Sequence, residues 1–330
     1  MDINNRIDEI FDELVEIRRD FHKNPELSQN EFRTQGKIRE YLNKWGIENH
    51  ICAETGVVGI IRGKRPGKTI GIRGDIDALP ILEQSKASYC SVNPGVMHAC
   101  GHDAHTTVVL GAGKIIKELA DSEESINGNV KLFFQPAEET IGGGDRMVKE
   151  GCMENPMVDY VLGLHVMPYL EAGMVELKYG KLNASTDSIN ITLKGKSSHG
   201  AYPDKGIDAI AMAGNVITAL QTIVSRNTSP LNSVVISLGK ISGGAKENII
   251  ADEVQITGTL RTLDDETRKY TKDRVSSIVH NVAAAFGGEG ITRFYDGYQA
   301  LINDDEVVDV IKENAEKLLG KENVVFKEFP

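Results

Sequence analysis

Apolar positions near the start of the chain recur every three or four residues and then gather into short runs. Residues 6–23 carry a helical apolar stripe that Pro25 closes, and a second helix is predicted at residues 31–45, just before Gly46. Four short apolar runs predict buried strands at residues 57–61, 69–73, 130–134 and 158–164. With a helix predicted at residues 108–119 between them, this alternation indicates an α/β fold with a mostly parallel or mixed sheet.

From about Ser188 the periodicity changes to strict alternation of apolar and polar residues, which is typical of half-buried strands. Strands are predicted at residues 189–194, 234–238, 254–260 and 291–295, and helices at 208–226 and 265–286. Their order, β-α-β-β-α-β, is that of a ferredoxin-like unit. A last helix (306–319) and strand (323–326) are interpreted as a return to the first domain.

A chain of 330 residues is too long for one ordinary small core, so two domains are expected. We predict a catalytic domain at residues 1–182, an inserted domain at 183–297, and a resumed but incomplete part of the catalytic domain at 298–330.

Composition narrows the function classes. A formal net charge of −11 argues against nucleic acid and anionic membranes as partners, since both require a basic face. The N-terminus lacks the pattern of a signal peptide, and no apolar run approaches the ~20 residues that span a bilayer. A cytoplasmic protein is therefore expected. The four cysteines form no disulfide framework, and only Cys100 has neighbours of the metal-ligand type.

The segment from His98 to His105 concentrates three imidazoles, a thiol and a carboxylate, the side chains that bind zinc-like cations. Cys100 and His102 are one residue apart, which on an extended backbone directs both to one side. A helix is expected to begin near Asp103 with that residue as N-cap. The alternative interpretation is a buried thiol beside a capping histidine.

Two further strands end in residues with the same chemistry. Glu138 and Glu139 follow a strand and Pro136, and adjacent side chains there point in opposite directions. One carboxylate is therefore predicted to bind a metal while its neighbour faces the reacting water as a general base. His165 ends another strand, where α/β sheets place their sites. A solvated acidic loop and a core histidine are the alternatives.

Asp75 and Asp77 lie just past a strand with a spacing that puts both carboxylates on one face, where they could orient metal-binding imidazoles. Turn residues or an ion pair with Arg73 are the structural alternative. The glycines at 142–144 lack the Lys-Ser/Thr of a phosphate loop and predict a tight turn into a helix. His199 is by default a histidine of a surface loop.

Taken together, these residues resemble the peptidase M20 family, specifically its amidohydrolase branch of N-acyl-amino-acid amidohydrolases, hippurate hydrolases and indole-acetyl-amino-acid hydrolases. The segments that carry the resemblance are IRRDFHKNPELS (17–28), RGDIDALP (73–80), MHACGHDAHTT (97–107), FFQPAEE (133–139), GLHV (163–166), KGKSSHGAYPDKGIDAI (194–210), GGAKENIIAD (243–252) and GTLRT (258–262).

The resemblance implies a zinc-peptidase-like three-layer α/β/α catalytic domain with an inserted ferredoxin-like α+β lid and dimerisation domain. It implies two divalent metal ions (Zn, Mn, Co or Ni) on Cys100, His102, Glu139 and His165, with Glu138 as the general base. The expected reaction is hydrolysis of the amide bond of N-acyl amino acids or similar small amides by a metal-activated water.

By the same resemblance, His199, Asn248 and Arg261 are candidate substrate-binding residues in the lid domain. The implied partners are a small N-acyl amino acid and further copies of the chain, as a homodimer or a higher homo-oligomer through the lid domain. Members of the family continue past the position of residue 330 with a segment that supplies a final histidine ligand. We therefore expect a fragment or truncated product with poor activity on its own.

Other functions compete with this prediction. A dipeptidase or deacetylase of the same family would use identical chemistry on a different group. A catalytically impaired fragment that binds metal or dimerises is a second alternative. A hydrolase with Cys100 as nucleophile and His102 as its base is a third, although it leaves Glu138 and Glu139 without a role.

Overall fold

The chain forms two units in the computed structural model, Met1–Tyr169 and Leu170–Pro330. The structure describes residues 2–123, 125–140 and 142–328. The domain bounds at residues 182 and 297 derived from the sequence stay a prediction.

A five-stranded mixed sheet lies at the centre of the first unit, as the alternating pattern predicts. Its order is β1-β2-β4-β3-β5, with β3 parallel to both β4 and β5 and the remaining neighbours antiparallel. The strands are β1 (Glu48–Cys52), β2 (Gly56–Arg62), β3 (Arg65–Asp75), β4 (Asn127–Gln135) and β5 (Tyr160–Gly163). The helices are α1 (Ile3–Lys23), α2 (Phe32–Lys44), α3 (His102–Asp121) and α4 (Gly143–Lys149).

Both faces of this sheet are covered, which explains why β2 is apolar and buried from Gly56 to Ile61. Val57 and Ile61 point to one face and pack in a core with α1, α2 and α3. Val58 and Ile60 point to the other face and pack with Met147 of α4. The sheet is therefore the middle of three layers, with apolar cores on both of its faces.

The second unit contains the predicted β-α-β-β-α-β order. Its four-stranded sheet has the order β10-β12-β8-β13 with every neighbour antiparallel. The four strands and two helices are β8 (Asp187–Lys194), α5 (Ala209–Thr222), β10 (Val234–Gly243), β12 (Glu253–Thr262), α6 (Asp265–Ala285) and β13 (Glu289–Asp296). This is the ferredoxin-like arrangement, confirmed in sheet order and in the placement of both helices along the chain.

Alternation along β8 builds the core of this unit. Ile189, Ile191 and Leu193 are buried against α5 and α6, while the residues between them face away from the helices. At the start of β8 the buried carboxylate of Asp187 pairs with Arg268 and Lys272 of α6, at 2.6 and 2.8 Å. These ion pairs tie the helix layer to the first residue of the strand.

Short strands complete the second unit. They are β6 (Val175–Leu177), β7 (Gly180–Asn183), β9 (Ser198–His199), β11 (Ile249–Ile250), β14 (Leu301–Asn303) and β15 (Val324–Phe326), with α7 at Asp305–Leu319. β14 pairs with β7 and β15 pairs with β6, so the end of the chain is joined to residues 175–183. No helix among the described residues combines the length and apolar character needed to cross a membrane.

Candidate metal centre

The predicted ligands lie where three neighbouring strands end and one helix begins. β3, β4 and β5 run parallel, so the segments that follow them, with Asp77, Glu139 and His165, emerge at the same edge of the sheet. His102 is the first residue of α3. The fold therefore gathers residues that are far apart in the sequence.

The start of α3 differs from the sequence-based prediction in one respect. Gly101, not Asp103, occupies the N-cap position, and its left-handed φ of 84° suits glycine. A backbone with this turn is not extended, so the reason given for Cys100 and His102 sharing a side is wrong. The Asp103 carboxylate is instead buried, 2.8 Å from both His22 Nδ1 and Arg18 Nε.

The side chains nevertheless converge in two groups that share His102. Cys100, His102 and His165 each offer a ligand atom, and these atoms all lie within 4.8 Å of one another. His102, Glu138 and Glu139 form a second group by the same measure. The Cys100 Sγ atom is 3.4 Å from His165 Nε2. All five predicted ligand and base residues thus meet at one place.

Asp77 fixes the orientation of the His102 ring. The Nδ1 atom of His102 lies 2.9 Å from the Asp77 carbonyl oxygen and 3.2 Å from its Oδ1, so Nδ1 carries the proton and Nε2 presents a lone pair. Asp77 Oδ2 also accepts from Ser28 Oγ at 2.6 Å and from the Glu139 backbone N–H at 3.0 Å. Burial favours a raised pKa for Asp77, but hydrogen bonds from His102 and Ser28 hold that pKa below its ordinary value.

Among the described residues, two buried polar atoms at the centre lack a hydrogen-bond partner: His102 Nε2 and Glu139 Oε1. They lie 3.8 Å apart, and Asp75 Oδ2 is 3.6 Å from the same nitrogen. The nitrogen lone pair and the carboxylate oxygens are all electron-rich, and they face one another in a buried space. A cation between them would satisfy all of these atoms. Together with a thiol and a second imidazole, this donor set fits a zinc-like divalent ion.

His105 completes a third possible donor group with Asp75 and His102. Both of its ring nitrogens are already used, because Nδ1 is 2.6 Å from Asp75 Oδ1 and Nε2 accepts from the Val166 backbone N–H at 2.9 Å. His105 therefore links α3 to the residue that follows His165 and has no lone pair left for a metal.

Asp75 forms the ion pair with Arg73 that the sequence left open, and it contacts the imidazole of His105, which has no lone pair left for a metal. Its predicted role of orienting metal-binding imidazoles stays a prediction. One oxygen faces His105, and the other lies 2.7 Å from Arg73 Nη1. Burial works toward a raised pKa for Asp75, but His105, Arg73 and His102 hold the pKa of this carboxyl well below its usual range.

Burial also raises the pKa of two other groups at the centre, Glu138 and Cys100. It raises the pKa of Glu138, and the carboxylates of Glu139 and Asp75 raise it further. Burial and the Glu139 carboxylate raise the pKa of the Cys100 thiol to about 12. A bound divalent cation reverses this electrostatic environment and favours thiolate and carboxylate.

Sequence reasoning missed one acid beside this centre. Glu31, at the N-cap of α2, is fully buried, and its Oε1 accepts from the Ala137 backbone N–H at 2.8 Å. Its Oε2 accepts from Thr55 Oγ1 at 2.6 Å. A lone glutamate before a helix carries no signal in the sequence that separates this role from an ordinary exposed one.

The predicted substrate residues all lie in the second unit. His199 in β9 is opposite Ile249 of β11, and the Gly200 N–H donates to the Asn248 carbonyl at 2.8 Å, so His199 and Asn248 are neighbours. Arg261 lies on β12, opposite Val235 of β10. The roles of these residues stay predictions.

Comparison with known proteins adds a family match to this geometry. The profile of the peptidase family M20/M25/M40 matches residues 71–330. The chain is 41% identical to the N-acetyl-L-cysteine deacetylase of Bacillus subtilis over 306 residues, which are 92% of this chain and 72% of that protein. It is 40% identical to the hippurate hydrolase of Campylobacter jejuni over 330 residues, 99% of this chain and 85% of that protein.

A solved structure has the same fold. The Bacillus subtilis YXEP protein, a dinuclear metal binding peptidase from the M20 family, matches with a TM-score of 0.83 and 32% sequence identity. The match covers 98% of this chain and 83% of that one.

Proposed function

Because this chain belongs to the peptidase family M20/M25/M40, we propose that it hydrolyses the amide bond of N-acyl amino acids with two divalent cations at the centre described above. The family, the α/β fold and the class of hydrolase acting on amide C–N bonds, all predicted from the sequence, are confirmed. The choice of substrate and the residue roles that follow are proposals.

Cys100, His102, Glu139 and His165 are the proposed ligands. The observation that carries this assignment is the unpartnered pair of buried atoms, His102 Nε2 and Glu139 Oε1, facing each other at 3.8 Å. Two divalent cations held here supply the Lewis acidity that activates water and stabilises negative charge on a carbonyl oxygen. Thiolate and imidazole donors favour Zn²⁺, while Mn²⁺, Co²⁺ and Ni²⁺ are compatible.

Glu138 is the proposed general base. It stands next to Glu139 in the donor group around His102, and burial raises its pKa above the ordinary value, which favours acceptance of a proton from water. It takes a proton from the attacking water and delivers it to the leaving amine nitrogen. Asp77 and Asp75 hold His102 and His105 in place during this transfer.

His199, Asn248 and Arg261 are the proposed substrate contacts of the lid domain. The adjacency of His199 and Asn248 in the small β9–β11 pair supports a joint role for those two residues. Arg261 supplies a guanidinium suited to a substrate carboxylate. The lid domain is also proposed to join copies of the chain, which is supported by the edge position of β10 in the four-stranded sheet.

A cysteine hydrolase is the second candidate, because Cys100 Sγ lies only 3.4 Å from His165 Nε2. A nucleophilic cysteine needs a lowered pKa, whereas burial and Glu139 raise that of Cys100 to about 12. This observation favours the role of a ligand, in which the cation itself stabilises the thiolate.

The test is elemental analysis of the purified chain combined with a panel of N-acetyl, N-benzoyl and dipeptide substrates. We expect bound divalent metal, slow but measurable hydrolysis of at least one N-acyl amino acid, and loss of that activity with a chelator that added Zn²⁺ or Mn²⁺ restores. Turnover that resists chelation but stops with a thiol alkylator would instead establish the cysteine mechanism. The substrate panel also separates an amidohydrolase from a deacetylase or a dipeptidase.

A further inference from the structure

Glu31 joins three segments of the first unit from a fully buried position. It stands at the N-terminus of α2, its Oε2 accepts from Thr55 in the turn before β2, and its Oε1 accepts from Ala137 after β4. Ala137 immediately precedes Glu138 and Glu139. We propose that Glu31 is a positioning residue that fixes the Glu138–Glu139 segment in its metal-binding arrangement before any cation arrives.

The backbone at Ala137 requires such an anchor. Ala137 has a φ of 50°, a left-handed conformation that non-glycine residues adopt only where the surroundings impose it. Its N–H is buried, since the residue is 1% exposed, and without Glu31 this donor would have no partner. Glu31 therefore supplies the acceptor that the buried N–H of this backbone turn needs.

The carbonyl of Ala137 is also hydrogen-bonded, by backbone N–H groups of a different segment. It accepts from the Gly142 backbone N–H at 3.2 Å and from the Gly143 N–H at 3.4 Å, at the turn that begins α4. Both polar groups of one residue are thus bound by different elements. Because Glu139 is further held by its N–H bond to Asp77, the segment from Ala137 to Glu139 has three backbone attachments.

The chemistry of the two contacts decides which substitutions preserve the anchor. The Ala137 N–H needs an acceptor, whereas the Thr55 hydroxyl can donate or accept. In Glu31→Gln the amide oxygen can face Ala137 and the amide N–H₂ can face Thr55, so both contacts survive. Glu31→Met keeps the volume of the side chain and removes both acceptors.

The experiment measures Zn²⁺ affinity of the full chain by competition with a chromophoric chelator. We expect Glu31→Met to weaken binding by about 10- to 100-fold, the range for residues that orient metal ligands, and Glu31→Gln to stay within about threefold of the parent. Gln35→Met is the matched control, because Gln35 is also buried on α2 but donates to the Glu54 carbonyl at 2.7 Å and not to a residue of the 137–139 segment. We expect it to lower thermal stability while leaving affinity within about threefold.

Zn²⁺ affinity of Glu31→Met equal to that of Gln35→Met would overturn the proposal. Should Glu31→Met not fold, amide exchange of the metal-free parent carries the test. We then expect the Ala137 N–H to exchange as slowly as amides of β4, and exchange at the rate of an open loop would contradict a segment fixed in advance.

This inference rests on the proposed ligand role of Glu139 but not on the reaction. Absence of turnover on every N-acyl amino acid, with the affinity order preserved among the variants, would remove the proposed function and leave the role of Glu31 standing. Turnover of an N-acyl amino acid together with an unchanged Zn²⁺ affinity in Glu31→Met would support the proposed function and contradict the role of Glu31.

Discussion

At the scale of one residue, the carboxylate of Asp77 holds several parts of the candidate metal centre in place. Its two oxygens receive hydrogen bonds from a ring nitrogen, a hydroxyl and a backbone N–H, and the three donors belong to three separate segments. From the sequence, the spacing predicted only that Asp75 and Asp77 share one face just past a strand. The donor from Ser28 is 49 residues distant, and no periodic pattern encodes such a contact.

Asp77→Asn tests this role directly. The amide would turn an N–H₂ group toward either His102 or the Glu139 N–H, both of which need an acceptor, so we expect cation affinity to fall by about 10- to 100-fold. Titration with Zn²⁺ against a chelator measures the change. Asp145→Asn is the control, since Asp145 forms an exposed ion pair with Lys149 on α4. Equal affinity in both variants would contradict the role of Asp77.

Glu138→Gln tests the proposed general base. The variant keeps the shape of the side chain and the proposed ligands, so metal content should be unchanged while kcat falls by about 10² to 10⁴. Elemental analysis and steady-state kinetics on the best N-acyl amino acid measure the two quantities. An unchanged kcat would remove Glu138 from the mechanism.

At the scale of elements, periodic segments were predictable and short or polar ones were not. The apolar stripe of α1 and the alternation of β8 matched their predicted positions closely. The sequence placed the start of α3 near Asp103, and the helix begins at His102. Apolar periodicity alone indicated this helix only from residue 108, because its first turns bury polar residues, including His102 and His105, which interact with aspartates from the β3 end. Three-residue strands such as β6 are defined by their partners and leave too few positions for any period.

The ion pairs that join β8 to α6 predict a pH dependence of stability. Burial favours a raised pKa for Asp187, but Arg268 and Lys272 lower it below the ordinary value. The stabilisation is therefore complete above the unfolded pKa of about 4 and is lost as pH falls through the lower folded pKa.

Asp187→Asn should accordingly lower the free energy of unfolding at pH 7 by about 3 kcal/mol, as expected for breaking a buried pair. The difference from the parent should shrink as pH falls below about 4. Urea denaturation of both proteins between pH 7 and pH 3 measures this, with Asp145→Asn as an exposed control. A difference that stays constant over this range would contradict the assignment.

At the scale of the whole molecule, the proposed catalytic residues and the proposed substrate contacts belong to different units. The donor groups lie in the first unit, and His199 lies in the second. We expect His199→Ala to retain the metal content of the parent and to lower kcat/KM. Elemental analysis beside kinetics measures both, and a loss of metal in this variant would contradict a role in substrate contact.

The ends of β8 and β13 have a practical consequence. Asp187 and Asp296 face each other as paired residues of adjoining antiparallel strands, so the chain enters and leaves this sheet at points roughly 5 Å apart. A linker of a few residues bridges such a gap. Deletion of the intervening segment 187–296, or its replacement by that of a relative, would therefore leave two chain ends that a short linker can rejoin.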